Sequence, residues 1–350
     1  MGVAANSLTV TYDVIRSMVP NIATPIIDQT SWQDDILIKL EQDAEDYYGE
    51  TFQVPFVGGI NPVYNIGSGV SEAPATYSPK ITDGEAKDHM LVTNAVYLDK
   101  NLIAIDKNPK RLFNYMESEL AASKSGFEAI LQYLLFSDGT TGLKSISHRF
   151  LGTIPYNIVS PFYGLGYWIS TSPATGSVLG VSRVSNVFLR NYANATATTI
   201  VSTASLTKNV ITDDIKQCGA GTASNASGKP DMAITTRRIY NYLQGVMAPA
   251  SSININSVDG AKGFQRAEVS TDEVVIDGCK FYWSDQCTAG AIYYIPTKHV
   301  KLRKNAGGVI VGDLSVHQMQ VAQFQRLFRG YQLIIDRPGA CGIRTNITEA

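Results

Sequence analysis

Four histidines, His89, His148, His299 and His317, stand singly along the 350-residue chain. Zinc chemistry needs donors paired at short spacing, as in His-Glu-x-x-His or Cys-x-x-Cys, because the ion gathers three or four of them into one tetrahedron. Neither pairing occurs. Each histidine therefore reads as a surface or core residue. Cys218, Cys279, Cys287 and Cys341 are too few and too irregularly spaced for a disulfide framework in a chain this long, and read as buried or idle thiols in a reducing compartment. Residues Ala223 to Pro230 come nearest to a phosphate-binding loop. Gly228-Lys229 is present, but Ala223 replaces the first glycine and Pro230 the metal-binding hydroxyl, so the backbone cradle fails. Gly164-Leu165-Gly166 lacks the third glycine of a dinucleotide loop and reads as a turn, and there is no Gly-x-Ser-x-Gly elbow. The acidic residues Asp34, Asp35, Glu41, Asp43, Glu45 and Asp46 have no histidine or cysteine beside them and read as a solvated helix face. A Ser-His-Asp triad can be drawn from distant positions in nearly any chain and carries no weight. The sequons at Asn194, Asn225 and Asn346 need a secretory route that the sequence does not advertise. No catalytic, cofactor-binding or metal-binding residue is assigned, no cofactor is expected, and the chain reads as a non-enzyme.

The elements that would position any such residues are more informative. Ile36, Leu37, Leu40, Ala44 and Tyr47 recur at helical spacing within 31–48. Thr51 to Val57 reads as a strand, and a second strand-like run extends from Leu91 to Ile105. The connector between them carries Gly58, Gly59, Gly67, Gly69, Gly84, Pro62, Pro74 and Pro79 and few large apolar side chains. A two-stranded arm without its own core is marginal in water, so it needs a surface to lie on, and a neighbouring subunit is the natural supplier. A long helix follows, with Asn108 as N-cap and Pro109 at its first position. Leu112, Met116, Leu120, Phe127, Leu131 and Leu134 mark its buried stripe, with Phe113, Ile130 and Leu135 widening it, and Gly139 suits its end. From Pro109 to Ser137 it would be roughly 43 Å long, the girder of the molecule.

Further helices are expected at Thr212 to Cys218 and Arg237 to Gln244. A polar loop, Gly219 to Pro230, leads into the apolar run Met232-Ala233-Ile234, and later strands are expected at Glu273 to Ile276, Lys280 to Trp283, Ala291 to Ile295 and Leu333 to Ile335. The Thr- and Ala-rich stretch from Ala193 to Ala204 is left without an assignment.

Apolar residues make up 44% of the chain and charged ones 17%, below the roughly 25% usual for globular domains, with a net charge of −2. This composition excludes wholesale disorder. No window offers the 18 or more apolar residues of a membrane-spanning helix, and no basic region followed by an apolar block suggests export. The charges are polarised. Residues 1–90 hold 4 basic and 13 acidic side chains (−9), residues 91–295 hold 17 and 15 (+2), and residues 296–350 hold 8 and 3 (+5). Such poles can meet with complementary fields, within a subunit or between neighbours. Sparse charge near neutrality favours association, so an oligomer is expected. The basic clusters Lys301-Leu302-Arg303-Lys304 and Arg237-Arg238 are too short for sequence-specific DNA reading.

Several runs, in order, carry a resemblance. Gly152-Thr153-Ile154-Pro155-Tyr156-Asn157 is followed by Gly180-Val181-Ser182-Arg183 and Phe188-Leu189-Arg190-Asn191. Lys229 to Thr236 then precedes a tyrosine-bearing helix. Asp277-Gly278-Cys279-Lys280, Gly290-Ala291-Ile292-Tyr293-Tyr294 and His299-Val300-Lys301-Leu302 come next, and Tyr331 to Ile334, Arg337-Pro338 and Gly342-Ile343 close the series. Together they resemble the major capsid protein of tailed double-stranded DNA bacteriophages, the family whose shell fold is shared with herpesviruses.

The resemblance implies an α+β fold with an N-terminal arm at 1–49 and an extended two-stranded loop at 50–106. It also implies a peripheral domain at 107–150 and 316–350, built on a spine helix at 109–137, and an axial domain at 151–315. It implies a structural subunit that self-assembles into pentamers and hexamers of an icosahedral shell around the phage genome, assembled in the host cytoplasm and located in the virion. The implied partners are further copies of the chain, scaffold, portal and decoration proteins, and packaged double-stranded DNA through non-specific contacts, with no membrane. The alternatives are the shell of an encapsulin-like cargo compartment, a tail or adhesin component, and more remotely a β-rich hydrolase. Ile295-Pro296 departs from the leucine and asparagine of the family pattern. Lys80 and Lys87 lie on the arm, but nothing identifies a partner asparagine or activating carboxylate, so no cross-link is assigned.

Overall fold

The computed structural model describes residues 36, 40, 44–47, 51–57, 81–87, 89–99, 130–148, 152–158, 161–199, 206–220, 228–251, 274–305, 310–311, 315–316 and 322–348. Its strands begin with β1 (Glu45–Tyr47), β2 (Thr51–Val57), β3 (Ile81–Lys87), β4 (His89–Asp99), β5 (Gly142–His148) and β6 (Gly152–Ile158). Then come β7 (Ser177–Val178), β8 (Val181–Ser182), β9 (Tyr192–Asn194), β10 (Thr198–Thr199), β11 (Met232–Thr235), β12 (Val274–Ile276) and β13 (Cys279–Trp283). The series ends with β14 (Ile292–Ile295), β15 (Val300–Asn305), β16 (Ile310–Val311), β17 (Ser315–Val316), β18 (Ala322–Ile335), β19 (Gly342–Arg344) and β20 (Ile347–Thr348). The helices used below are α1 (130–135), α2 (Leu165–Trp168), α3 (Lys208–Ala220) and α4 (Arg237–Ser251). No described helix is long and apolar enough to cross a membrane.

The chain divides into two compact units. One comprises Met1–Glu50, Lys87–Phe162 and Leu302–Leu333, the other Thr51–Ala86, Tyr163–Lys301 and Ile334–Ala350. Within 316–350, β18 thus lies mainly in the first unit, whereas β19 and β20 pair inside the second.

In the first unit, β18 runs antiparallel to β4, from Ala322 opposite Asp99 to Tyr331 opposite His89, with a register shift between Gln325 and Arg326. The strand expected at Leu91 to Ile105 is therefore His89–Asp99 within the described residues, and its partner is β18, not β2. The helix expected over 31–48 is also corrected. Ile36 and Leu40 are helical and buried, but Glu45–Tyr47 is a strand parallel to β15. Tyr47 turns inward by strand alternation, while Glu45 meets Arg303 at 3.3 Å and Asp46 meets Lys304 at 4.0 Å. These two carboxylates face a basic strand, and the acidic and basic poles of the sequence meet here within one subunit. Of the expected girder helix, 109–129 lies outside the described residues. Its end, α1, buries Leu131, Leu134 and Leu135 and tightens through Ser137 N donating to Leu134 O, with Gly139 at φ 81° beyond it. A hairpin of β5 and β6 follows, in register from Gly142–Ile158 to His148–Gly152.

The second unit is built on a sheet in the order β12-β13-β11-β14-β19-β9. Strand β11 is buried throughout, parallel to β13 and antiparallel to β14, as its run Met232-Ala233-Ile234-Thr235 requires of a central strand. The β12–β13 hairpin turns at Asp277 and Gly278, both at positive φ (52° and 81°), the Asp-Gly pair of a tight mirror-type turn. Ile211, Ile215 and Cys218 of α3 and Ile239, Tyr240 and Leu243 of α4 recur at helical spacing and pack with Ala233, Phe281, Ile292 and Tyr294 of the sheet. Thr207 and Thr236 start these helices, each accepting a backbone N–H at its side-chain oxygen. Gly164-Leu165-Gly166, expected as a turn, opens the short helix α2 with Leu165 and Trp168 buried. Burial of those two side chains outweighs the turn propensity of the glycines.

Candidate functional site

The residues singled out for chemistry do not converge. Among the described residues no group of three or more His, Cys, Asp or Glu could hold a metal ion. His299 is a core residue whose Nδ1 lies 2.8 Å from Asp336 Oδ1. His89 and His148 lie on β4 and β5, and His317 is outside the described residues. All four cysteines are buried and none forms a disulfide, and burial pushes the Cys218 and Cys341 thiols well up, which favours their protonated form. Of the would-be phosphate loop only 228–230 is described, and Gly228 there backs onto the His299 ring, whose Cδ2 and Nε2 would lie 3.5 Å from a Cβ at that position. The Asn194 amide is committed to Asp214 and the Tyr192 hydroxyl, so this sequon is not presented to a modifying enzyme.

What the second unit does assemble is a socket at the base of the two-stranded arm. Strand β2 turns Val54 and Phe56 inward and Gln53 and Pro55 outward; its partner is β3, where Gly84 and Ala86 point in and Asp83 and Glu85 out. The partner expected for 51–57 lay beyond Leu91. The actual one is closer because Ile81–Lys87, although polar, offers two small residues to a crowded surface. A Cβ on Gly84 would lie 2.7 Å from Leu179 Cβ and 2.8 Å from Phe56 Cε2, so only glycine fits. Phe56 also meets Trp168 edge-on, with ring centroids 6.4 Å apart. The arm was expected to lack support of its own; its base is in fact buried within the subunit, and 58–80 lies outside the described residues.

The surface beneath is stiff. Leu179 sits at φ 47°, a conformation costly for a branched side chain, and it leads the β7–β8 turn with Gly180 at φ 81°. Its N–H donates to the Tyr167 hydroxyl at 2.8 Å, and burial raises the pKa of that phenol. Arg183 is buried, and burial lowers its pKa. It donates to the carbonyls of Tyr167 (3.2 Å) and Trp168 (2.7 Å) and to Asn191 Oδ1 (3.4 Å). Asn191 in turn accepts from Ser170 N and donates to Ser170 O and Tyr192 O. Arg183 and Asn191, two residues of the motif read in the sequence, thus tie the socket together. The arrangement fixes β2 and β3 on the body of this unit.

Val184, Val187, Val275 and Trp283 of this unit, and Leu143 of the other, are exposed. No signal in the sequence marked them.

No protein-family model matches the sequence, and no curated protein sequence matches it. Solved structures do. The capsid asymmetric unit of cyanophage A-1(L) superposes with a TM-score of 0.63 at 13% identity, covering 91% of this chain and 93% of that one. The chain has the tailed-phage capsid fold. A procapsid of satellite phage P4 agrees at a TM-score of 0.52 and 9% identity, over 93% of this chain and 90% of the other. The encapsulin of Synechococcus elongatus gives 0.47 at 9% identity, over 88% and 86%. The tailed-phage capsid fold is α+β, as expected from the sequence.

Proposed function

We propose that this chain is the major shell subunit of a phage-type capsid, forming rings of five and six copies that close into an icosahedral container for double-stranded DNA. One observation carries the reading: the superposition on the cyanophage capsid subunit spans more than nine-tenths of both chains. The socket supports it, because a rigid arm base is needed only where the arm beyond it has somewhere to reach. The stretch 58–80 is then the part that lies on a neighbour, and exposed Trp283, Val275 and Val184 supply apolar area to ring contacts. Subunits in such rings meet head to tail, which closes when the rotation between them allows it. The domain division is proposed as 1–49 arm, 50–106 extended loop, 107–150 with 316–350 peripheral, and 151–315 axial, with β19 and β20 going to the axial part in whose sheets they pair. Portal, scaffold and decoration proteins are the proposed partners of the virion shell, and DNA contacts are weak and salt-sensitive.

Purified protein examined by analytical ultracentrifugation and negative-stain imaging is expected to give closed particles or rings. A monomer at all concentrations and salt conditions, or trimeric fibres, refutes the proposal.

A further inference from the structure

In the second unit's sheet, β19 stands between β14 and β9, so among the described strands β9 reaches the sheet through β19 alone, and β10 pairs with β20. Leu206 N donates to Thr199 O (3.1 Å) and Asn191 Nδ2 to Tyr192 O (2.9 Å), but the strand partners of the rim 192–199 come far later in the sequence. Four backbone bonds fasten the two segments to their seat. Tyr192 N donates to Cys341 O (3.0 Å), Thr345 N to Asn194 O (2.9 Å), Thr198 N to Asn346 O (3.2 Å) and Ile347 N to Gly290 O (3.1 Å). The fit is close: a Cβ on Gly342 would collide with Cys218 Sγ of α3, and one on Gly290 would lie 2.5 Å from Ile347 O.

At the centre is Asp214 of α3, fully buried in the helix's otherwise apolar stripe. Arg344 of β19 donates to it from Nε and, at 2.8 Å, from Nη2. The Tyr192 hydroxyl (3.0 Å), Asn194 Nδ2 (3.0 Å) and the Tyr294 hydroxyl (3.2 Å) donate as well. Rim, helix and β19 thus share one carboxylate, and only β19 brings the compensating charge. Burying a carboxylate without that charge is strongly unfavourable. The same place holds two buried polar atoms without partners among the described residues, Arg344 Nη1 and Thr198 Oγ1. Each such buried group left without a partner costs its desolvation, which lowers the stability of these two segments.

We propose that residues 341–348 are a latch strand: they and the rim 192–199 open and close as one cooperative piece, and closure occurs when Arg344 reaches Asp214. The rest of the sheet, β11 with β13 and β14, forms without them. During synthesis the rim waits for the latch to emerge, so completion of this unit is a late event in folding.

Native-state hydrogen exchange on the full chain tests this. The amides of Tyr192, Thr198, Thr345 and Ile347 are expected to exchange at one common rate, about tenfold or more faster than those of Lys280 and Ser284, which donate to Asp231 O and Thr235 O along β11. Tyr192 and Thr198 outlasting Thr345 and Ile347, or all six sharing one rate, overturns the latch. In the full-length variant Arg344→Gln the four amides are expected to speed up by about tenfold or more while Lys280 and Ser284 hold. A uniform acceleration assigns Arg344 to the general core and also overturns it, as do four unchanged rates. Should Arg344→Gln fail to fold, Arg344→Lys, which keeps the charge but loses the two-pronged contact, carries the same expectation, and the wild-type rates stand independently.

Discussion

Tyr192 and Tyr293 both have phenol pKa values pushed up to about 12, Tyr192 by burial and then by the Asp214 charge, Tyr293 by burial against the opposing hydrogen bond from Thr288. The buried thiols of Cys218 and Cys341 are raised as well, chiefly by burial. In the unfolded chain the thiols titrate near about 8.5 and the phenols near about 10. The folded state therefore holds these protons more tightly than the unfolded one. Their stabilising contribution is complete below about pH 8.5 and declines as pH rises, steepening between about 10 and 12. Urea midpoints measured from pH 7 to pH 12 should stay level and then fall in that window, and Tyr293→Phe should flatten part of the fall. A midpoint level up to pH 12 contradicts the burial assigned to these groups. This scale was the least legible in the sequence. Cysteine burial could be anticipated from count and spacing, but nothing in the sequence singles out Asp214, since its partners Tyr192, Tyr294 and Arg344 come from three strands scattered along the chain.

The socket shows what an element can be read for and what it cannot. Strand β2 announces itself by the alternation of Val54 and Phe56 with Gln53 and Pro55, and α3 and α4 by helical spacing of their apolar residues. Strand β3 does not, because its inward residues, Gly84 and Ala86, are small, and Gly84 lies against Leu179, a residue almost a hundred positions away. Strand β1 was misread for a related reason: three residues cannot display a period, and its pairing with β15 is decided by a partner far along the chain. The close approach at Gly84 makes a definite expectation. Gly84→Ala forces a methyl group onto Leu179 Cβ and the Phe56 ring, neither able to swing aside, and overpacking of this kind costs about 1–3 kcal/mol. Leu179→Gly alone should also destabilise by leaving a void. Combined, the two should cost less than the sum of the singles, because the new methyl then meets no Cβ at position 179. Chemical denaturation of the four proteins measures this; strict additivity removes the Gly84–Leu179 contact from the account of the arm's base.

At the scale of the molecule, the order of turns and strands along the sequence was enough to anticipate a tailed-phage capsid fold, because that order survives at 13% identity to the cyanophage subunit whereas individual side chains do not. The pairing of distant segments, β4 with β18 and β9 with β19, was beyond reach, since no local pattern encodes which strand closes onto which. The socket also alters what should be removed to separate folding from assembly. Taking out everything from Gly58 to Asp88 would delete β3 and expose Phe56 and Leu179. Replacing only 59–79 with a short Asn-Gly linker keeps both β2 and β3, with Val54, Phe56, Gly84 and Ala86, in the chain. The shortened chain is expected to keep the urea midpoint of the full-length protein within about 1 kcal/mol of stability, as surface-loop changes usually do, while closed particles disappear from negative-stain fields and sedimentation shifts to single subunits or small rings. Particles of unchanged yield and size would show that 59–79 contributes nothing between subunits. A chain that no longer folds would mean instead that those residues belong to the body of the subunit, and would transfer the arm's role to another extended segment such as the β5–β6 hairpin.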